Sequence, residues 1–266
     1  MFKTRLISGV ILVAVVIVCT LLGGPVLHAV VGIISIMGMK ELYDAGGVTG
    51  TGIAAAGFAG AVLYEFVLFW GKGGGLPAAA VCVLLVMAVY VFTFPRYKAE
   101  QVFWVIGGFA YVCILMSYLF QVRDMDNGLY ILPMVFLSAW GNDTCAYCAG
   151  MLFGKHKMAP VLSPKKSIEG FIGGIVGAGI LGLLYGLLFS RDMKTLGMTA
   201  PECMIICAAA GAISVIGDLC ASAVKRDKGI KDYSNVIPGH GGILDRFDSI
   251  LFTAPVVYIL AKLLFR

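Results

Sequence analysis

The sequence predicts an all-α, polytopic integral membrane protein. Three observations carry that expectation. The chain of 266 residues is 60% hydrophobic and only 13% charged, against about 25% charged in an ordinary soluble domain. Its mean hydropathy is +0.94. Its apolar residues also gather into runs near the ~20 residues that cross a bilayer, separated by polar stretches too short to build a soluble domain. So much apolar surface leaves lipid as the natural solvent.

About nine transmembrane helices are expected, roughly over 5–22, 25–42, 50–70, 76–95, 102–121, 129–152, 168–190, 203–224 and 246–265. The first follows Lys3 and Arg5 in "MFKTRLISGV" and resembles a signal peptide. Its apolar stretch is long and no small-x-small cleavage site follows at once, so a retained helix is expected. The third holds Glu65 in "AVLYEFVLFW". An acid at that depth is costly and by default points to function. No partner lies nearby in the sequence, however, and a helix–helix hydrogen bond or a place near the outer interface explains it as well. Glu65 is therefore left out of the candidate site.

In the sixth span, "CAYC" pairs Cys145 with Cys148. Zinc takes four ligands, or three and a water, so two thiols read as small buried side chains instead. In the seventh, Gly170 with Gly174 and Gly173 with Gly177 have the small-xxx-small spacing that lets helices approach closely. A phosphate loop would place such glycines in a turn, whereas these lie inside an apolar helix.

Orientation follows from the cations. With the N-terminus inside, 14 of the 20 Lys and Arg residues fall on inner segments. The positive-inside rule then makes the N-terminus and the polar loops 153–167 and 225–245 cytoplasmic, in the inner (plasma) membrane of the cell. Residues 1–125 read as a membrane scaffold, and 126–266 as the part that carries the active site, at the cytoplasmic face.

The chemistry gathers in three stretches of that second half: "SAWGNDTCAYCAG" around Asp143, "GKHKMAPVLSPKKSIEG", and the run from Asp218 to Ser249. Asp245 and Asp248 are three apart at the start of the ninth span and share one face of a helix. Carboxylates that close stay ionised together only beside a cation. With Asp218, near the inner end of the eighth span, they form a set of hard oxygen donors suited to Mg²⁺, which usually takes one or two carboxylates plus substrate phosphates. Lys165, Lys166, Lys225, Arg226, Lys228 and Lys231 supply more positive charge than the acids require. Topology and anionic lipid explain their side of the membrane, but not the acids and glycines interleaved with them. Gly239, Gly241 and Gly242 free the backbone for tight turns and close approach to a ligand. Amides at such a helix start attract anions. His240 reads as a hydrogen-bond donor to phosphate or as a structural histidine. Together these features suggest phosphoryl or nucleotidyl transfer onto a lipid, at a surface where one substrate arrives from water and the other from the bilayer.

The run "SAVKRDKGIKDYSNVIPGHGGILDRFD" resembles the signature of phosphatidate cytidylyltransferases, in its Ser222, Lys225–Arg226, Lys231–Asp232, His240–Gly241–Gly242 and Asp245–Arg246–x–Asp248. "WGNDTCAYCAG" (Trp140, Asp143, Ala146, Tyr147, Gly150) and "SPKKSIEG" (Ser163, Pro164, Lys166, Ser167, Glu169, Gly170) are similar to the same family. The resemblance covers the second half closely, and the first half only as a set of membrane helices. It implies the reaction of CTP with phosphatidic acid to give CDP-diacylglycerol and pyrophosphate for phospholipid synthesis, with Mg²⁺ required and a second, monovalent cation as an option. It implies Asp218, Asp245 and Asp248 as metal ligands, and Lys225, Arg226, Asp245 and Asp248 as catalytic residues. Lys165, Lys166, Ser167, Ser222, Lys228, Lys231, Asp232, His240, Gly241, Gly242, Arg246 and Asp143 are then the residues expected around the substrates. A phosphatidate oxygen is already largely ionised near neutral pH, so neither His240 nor Asp143 is needed as an obligatory base.

Two other functions remain open. A polyprenol kinase or another lipid-directed CTP enzyme would transfer the γ-phosphate and release CDP. A transporter for anions also places charge at depth, but near the midplane and often with internal repeats, and no repeat is visible here. The expected partners are CTP, phosphatidic acid and membrane lipid, with no nucleic acid. Homodimerisation is left open.

Overall fold

In the computed structural model, residues 2–71, 74–189 and 197–265 are described, with side chains from Ile7 onward. The chain is almost entirely helical. In order the helices are α1 (Phe2–Leu22), α2 (Gly24–Ala45), α3 (Gly52–Trp70), α4 (Gly75–Phe92), α5 (Ala99–Arg123), α6 (Gly128–Phe136), α7 (Asn142–Phe153), α8 (Ile168–Leu188), α9 (Ala200–Asp227) and α10 (Leu244–Leu264). Seven of them, α2, α3, α4, α5, α8, α9 and α10, are long and apolar enough to cross a membrane. The first expected span is α1, whose described apolar stretch, Ile7–Leu22, is shorter. The sixth runs as α6, a π-helical segment Leu137–Gly141 and α7. Four of the residues counted for orientation, Lys72, Arg191, Lys194 and Arg266, lie outside the described residues, as do the side chains of Lys3 and Arg5.

Helix starts follow local chemistry. Proline opens α2, where no amide is missed. Thr51 caps α3 by accepting from the Ala54 amide at 3.2 Å, and Ser167 caps α8 by accepting from Gly170 at 3.1 Å. One element departs from the all-helical expectation: a short antiparallel hairpin of β1 (Lys157–Ala159) and β2 (Ser163–Ser167). Pro160 and Pro164 disfavour a helix interior there. The Glu169 carboxylate, in the first turn of α8, accepts from the Lys155 and His156 amides and bonds the His156 ring at 2.6 Å, tying down the chain that enters the hairpin.

The chain divides into two compact units, 1–117 with 228–246, and 118–227 with 247–266. In the first, α2 is pinned to α5 by Tyr43, which donates to the Val105 carbonyl at 2.9 Å, and by Trp104, whose indole N–H donates to the Leu42 carbonyl at 2.9 Å. Glu65 is buried, with its carboxylate 3.3 Å from His28 Nε2 and accepting from the Cys113 thiol at 3.5 Å. Of the two readings left open for this acid, the helix–helix bond is the one realised.

In the second unit the glycines of α8 bring three helices together. A Cβ on Gly170 would meet the Ala146 carbonyl oxygen at 2.9 Å, and one on Gly174 would meet Asn142 Oδ1 at 2.6 Å, so this face lies against α7. Gly173 and Gly177 meet Ala149 and Cys145 of the same helix, while Gly179 and Gly182 turn to α9. These glycines pack helices, with backbones approaching where no side chain fits. Cys145 is half-buried but Cys148 is exposed, correcting the expectation of two buried thiols. An apolar-span residue satisfies its environment by facing lipid as readily as by facing protein. Large side chains such as Ile172, Ile180 and Leu184 on α8 do the same.

Candidate active site

In the second unit, a cavity of about 500 Å³ is lined by Asn142, Asp143, Tyr147, Lys165, Lys166, Ser167 and Asp218, among others. Each polar residue arrives by a different route. The π-helical turn at Leu137–Gly141 widens the helix just before Asn142 and Asp143, a distortion that often accompanies functional positions. Asn142 is fully buried and donates to Ser214 at 3.1 Å, which ties α7 to α9. The hairpin's second strand carries Lys165 and Lys166 to the cavity, and Ser167 is held at its end as the cap of α8. Asp218 comes from the polar end of α9.

The central contact is the ion pair between Lys166 Nζ and Asp218 Oδ2, at 2.5 Å, with the side chains 23% and 30% exposed. Ser222, one turn further along α9, donates to the other Asp218 oxygen at 3.5 Å. Asp248 is buried, one turn into α10, and lies within electrostatic reach of Asp218, Asp143 and the Lys225 ammonium. Its Oδ1 also accepts from the Ser249 amide at 2.7 Å. Thus Asp143, Lys165, Lys166, Ser167 and Asp218 share one cavity, and Asp248, Lys225 and Ser222 carry charge or hydrogen bonds to that group. Arg226, at the end of α9, is exposed.

The remaining expected residues belong to the first unit. Gly239 and Gly241 have φ of +78° and +90°, so the "PGHGG" turn needs backbone that other residues avoid. His240 Nδ1 hydrogen-bonds Ser8 of α1 at 2.7 Å, which favours the structural reading of that histidine. Asp245 Oδ2 accepts from the Tyr233 and Gly242 amides, each at 2.9 Å. The Arg246 Nε is buried with no hydrogen-bond partner among the described residues. Lys228 stands 4.6 Å from the Trp104 ring centre, in a cavity with Arg96 and Lys98. Lys231 and Asp232 are exposed.

The amides at the start of α10 were expected to face an anionic ligand. They serve internal acids: Gly242 donates to Asp245, while Ile243 and Leu244 donate to Glu41. A Cβ on Gly242 would lie 2.7 Å from both Glu41 oxygens, so the close approach that this glycine permits is to Glu41. Glu41 was missed by sequence reasoning. Its neighbours Lys40 and Asp44 pair with each other at 2.7 Å, and the three together look like an ordinary charged helix end.

Among the described residues, no three His, Cys, Asp or Glu side chains are grouped closely enough to form a ready-made metal cage. Asp218 and Asp248 nevertheless suit a hard cation that takes one or two carboxylates and completes its shell with phosphate and water, as Mg²⁺ does.

A sequence model of the Cytidylyltransferase family matches residues 3–264. The chain belongs to that family. Among similar proteins, the phosphatidate cytidylyltransferase of Staphylococcus aureus (strain COL) is 34% identical over 266 residues, covering 97% of this chain and 98% of the relative. The phosphatidate cytidylyltransferase of Haemophilus influenzae is 32% identical over 281 residues, covering 96% of each chain. That of Staphylococcus saprophyticus is 30% identical over 262 residues, with 97% and 98% covered. Similarity therefore extends through the N-terminal helices as well as the signature run. As a cytidylyltransferase, the protein is a nucleotidyltransferase, and its apolar helices make it a membrane protein.

Proposed function

We propose that this cytidylyltransferase transfers the cytidylyl group of CTP to phosphatidic acid, giving CDP-diacylglycerol and pyrophosphate. The observation that carries the reading is the cavity in which Lys165, Lys166, Asp143 and Asp218 meet, in a chain of this family whose full-length relatives bear the name phosphatidate cytidylyltransferase. A phosphatidate oxygen attacks the α-phosphorus of CTP. The bond from that phosphorus to the bridging oxygen breaks, and the electron pair leaves with pyrophosphate. The attacking oxygen is ionised near neutral pH, so no residue need take a proton from it.

The protein's task is then to bring two polyanions together and to neutralise the charge that builds on the leaving pyrophosphate. Lys166 and Lys165 serve that task from the hairpin, and Lys225 from the end of α9, with Arg226 beside it. Arg246, whose buried Nε has no hydrogen-bond partner among the described residues, suits a phosphate oxygen. Asp218 and Asp248 would hold Mg²⁺, while Asp245 braces the signature turn through the Tyr233 and Gly242 amides. Such an ion polarises phosphoryl oxygens and screens their charge. The excess of cations on inner segments supports a cytoplasmic site, where CTP arrives from water and phosphatidic acid from the inner leaflet.

The test is to incubate purified protein, in mixed micelles, with CTP, phosphatidic acid and Mg²⁺, and to identify the products by mass spectrometry. CDP-diacylglycerol and pyrophosphate in equal amounts are expected. CDP with a newly phosphorylated lipid would mean a kinase, and unchanged substrates would end the proposal.

A further inference from the structure

Glu41 is a buried acid of the first unit that accepts three hydrogen bonds and has no part in the chemistry above. It sits near the end of α2 at only 4% exposure. Oε1 accepts from the Ser234 hydroxyl at 2.6 Å and the Ile243 amide at 2.8 Å, and Oε2 accepts from the Leu244 amide at 2.8 Å. All three donors belong to the run 228–246, some 200 positions away in the chain. They bracket the "PGHGG" turn on both sides. Gly242 adds an independent observation, because any side chain there would collide with the carboxylate.

We infer that Glu41 is a positioning residue for the transfer reaction, clamping the signature turn and the start of α10 in the geometry that presents Asp245. This rests on the function proposed above. The physical reason is that three donors converge on one side chain, and a carboxylate, which only accepts, matches all of them. Negative charge at a helix N-terminus is also favoured by the helix dipole. Without the acid, two amides at the start of α10 lose their acceptor in a buried place, and the turn has to move to find another. A neutral amide at residue 41 could keep the donors on one side with its oxygen but would point its own N–H₂ at the donor on the other.

The experiment compares wild type with Glu41→Gln, Glu41→Asp and Ser234→Ala as purified full-length proteins. It measures kcat and KM for CTP, together with hydrogen–deuterium exchange over residues 233–247. Glu41→Gln keeps size and packing. It is expected to lower kcat on the order of 100-fold, the effect of a small misplacement of reacting groups. KM for CTP should stay within about threefold, and exchange should rise within 233–247 and not in α8. Glu41→Asp and Ser234→Ala, each keeping part of the clamp, should give smaller losses of kcat in the same direction. If Glu41→Gln fails to fold, those two variants decide the matter.

A variant with faster exchange but wild-type kcat would overturn the inference, since the clamp would then be structural only. A loss of kcat with unchanged exchange in 233–247 would overturn it too, since Glu41 would act elsewhere. Failure of the proposed function would look different. Wild type itself would form no CDP-diacylglycerol, while the exchange comparison would still report whether Glu41 holds the turn.

Discussion

Lys166→Met removes the cation from the closest ion pair in the cavity while keeping most of the side chain's length. Two unit charges 4 Å apart attract by about 4 kcal/mol at an effective dielectric of 20. The Lys166–Asp218 pair is closer than that, at 2.5 Å. Its side chains are 23% and 30% exposed, however, so desolvation and solvent screening offset most of the attraction. A net loss of about 1–3 kcal/mol in stability is expected, between the values for surface pairs and for fully buried ones. The effect on the reaction should be larger. A charged donor aimed at developing phosphate charge contributes about 10²–10³ in rate. The assay is formation of CDP-diacylglycerol from labelled CTP in mixed micelles, with thermal unfolding of the same preparations followed in parallel. Lys166→Arg, which keeps the charge, should retain more activity than Lys166→Met. Two results would refute the reasoning. One is Lys166→Met with kcat and KM for CTP within about twofold of wild type. The other is full recovery in Lys166→Met with Asp218→Asn, which would mean that Lys166 only neutralises Asp218 and never meets substrate.

Other expectations follow from single residues. Asp248→Asn keeps size but removes a negative charge, so kcat measured across Mg²⁺ concentrations should fall by at least about 100-fold and recover only in part at high Mg²⁺; near-normal turnover at limiting Mg²⁺ would make Asp248 structural. Gly241→Ala forces a side chain to a φ of +90° with its Cβ 2.9 Å from Asp245 Oδ2, a strain of about 1–3 kcal/mol; it should lower turnover without lowering membrane insertion, and unchanged turnover would contradict the turn described. Gly174→Val crowds Asn142, whose Oδ1 would be 2.6 Å from the new Cβ, and should cost about 1–3 kcal/mol, seen as earlier loss of the monodisperse peak on size exclusion after heating.

The helices were legible because lipid imposes one requirement, a long apolar run with its backbone bonded internally, and that requirement is local. The candidate cavity was legible for a related reason. Asp143, Lys165, Lys166 and Asp218 are charges of both signs interleaved in an otherwise apolar chain, which topology and lipid contact alone do not explain, and the structure brings them to one place. Glu41 was not legible. Its partners Ile243 and Leu244 are apolar residues that contribute only their amides, so nothing in their side chains announces the contact across 202 positions. Ser8, which holds His240 from α1, was hidden in the same way. The hairpin escaped because its five-residue second strand is shorter than any hydropathy pattern, although Pro160 and Pro164 marked the place where a helix had to stop. The exposure of Cys148 depended on the rotation of α7, which its small and apolar residues after Thr144 do not encode.

The central claim concerns which phosphorus of CTP is attacked, and isotope position answers it directly. Purified protein is given phosphatidic acid and Mg²⁺ with CTP labelled with ³²P at either the α or the γ position, and lipid and aqueous phases are counted separately. Cytidylyl transfer predicts that α-label enters the lipid phase in step with product, while γ-label stays in water as pyrophosphate. Label from the γ position in the lipid, with α-label remaining in aqueous CDP, would contradict the account and make the protein a lipid kinase.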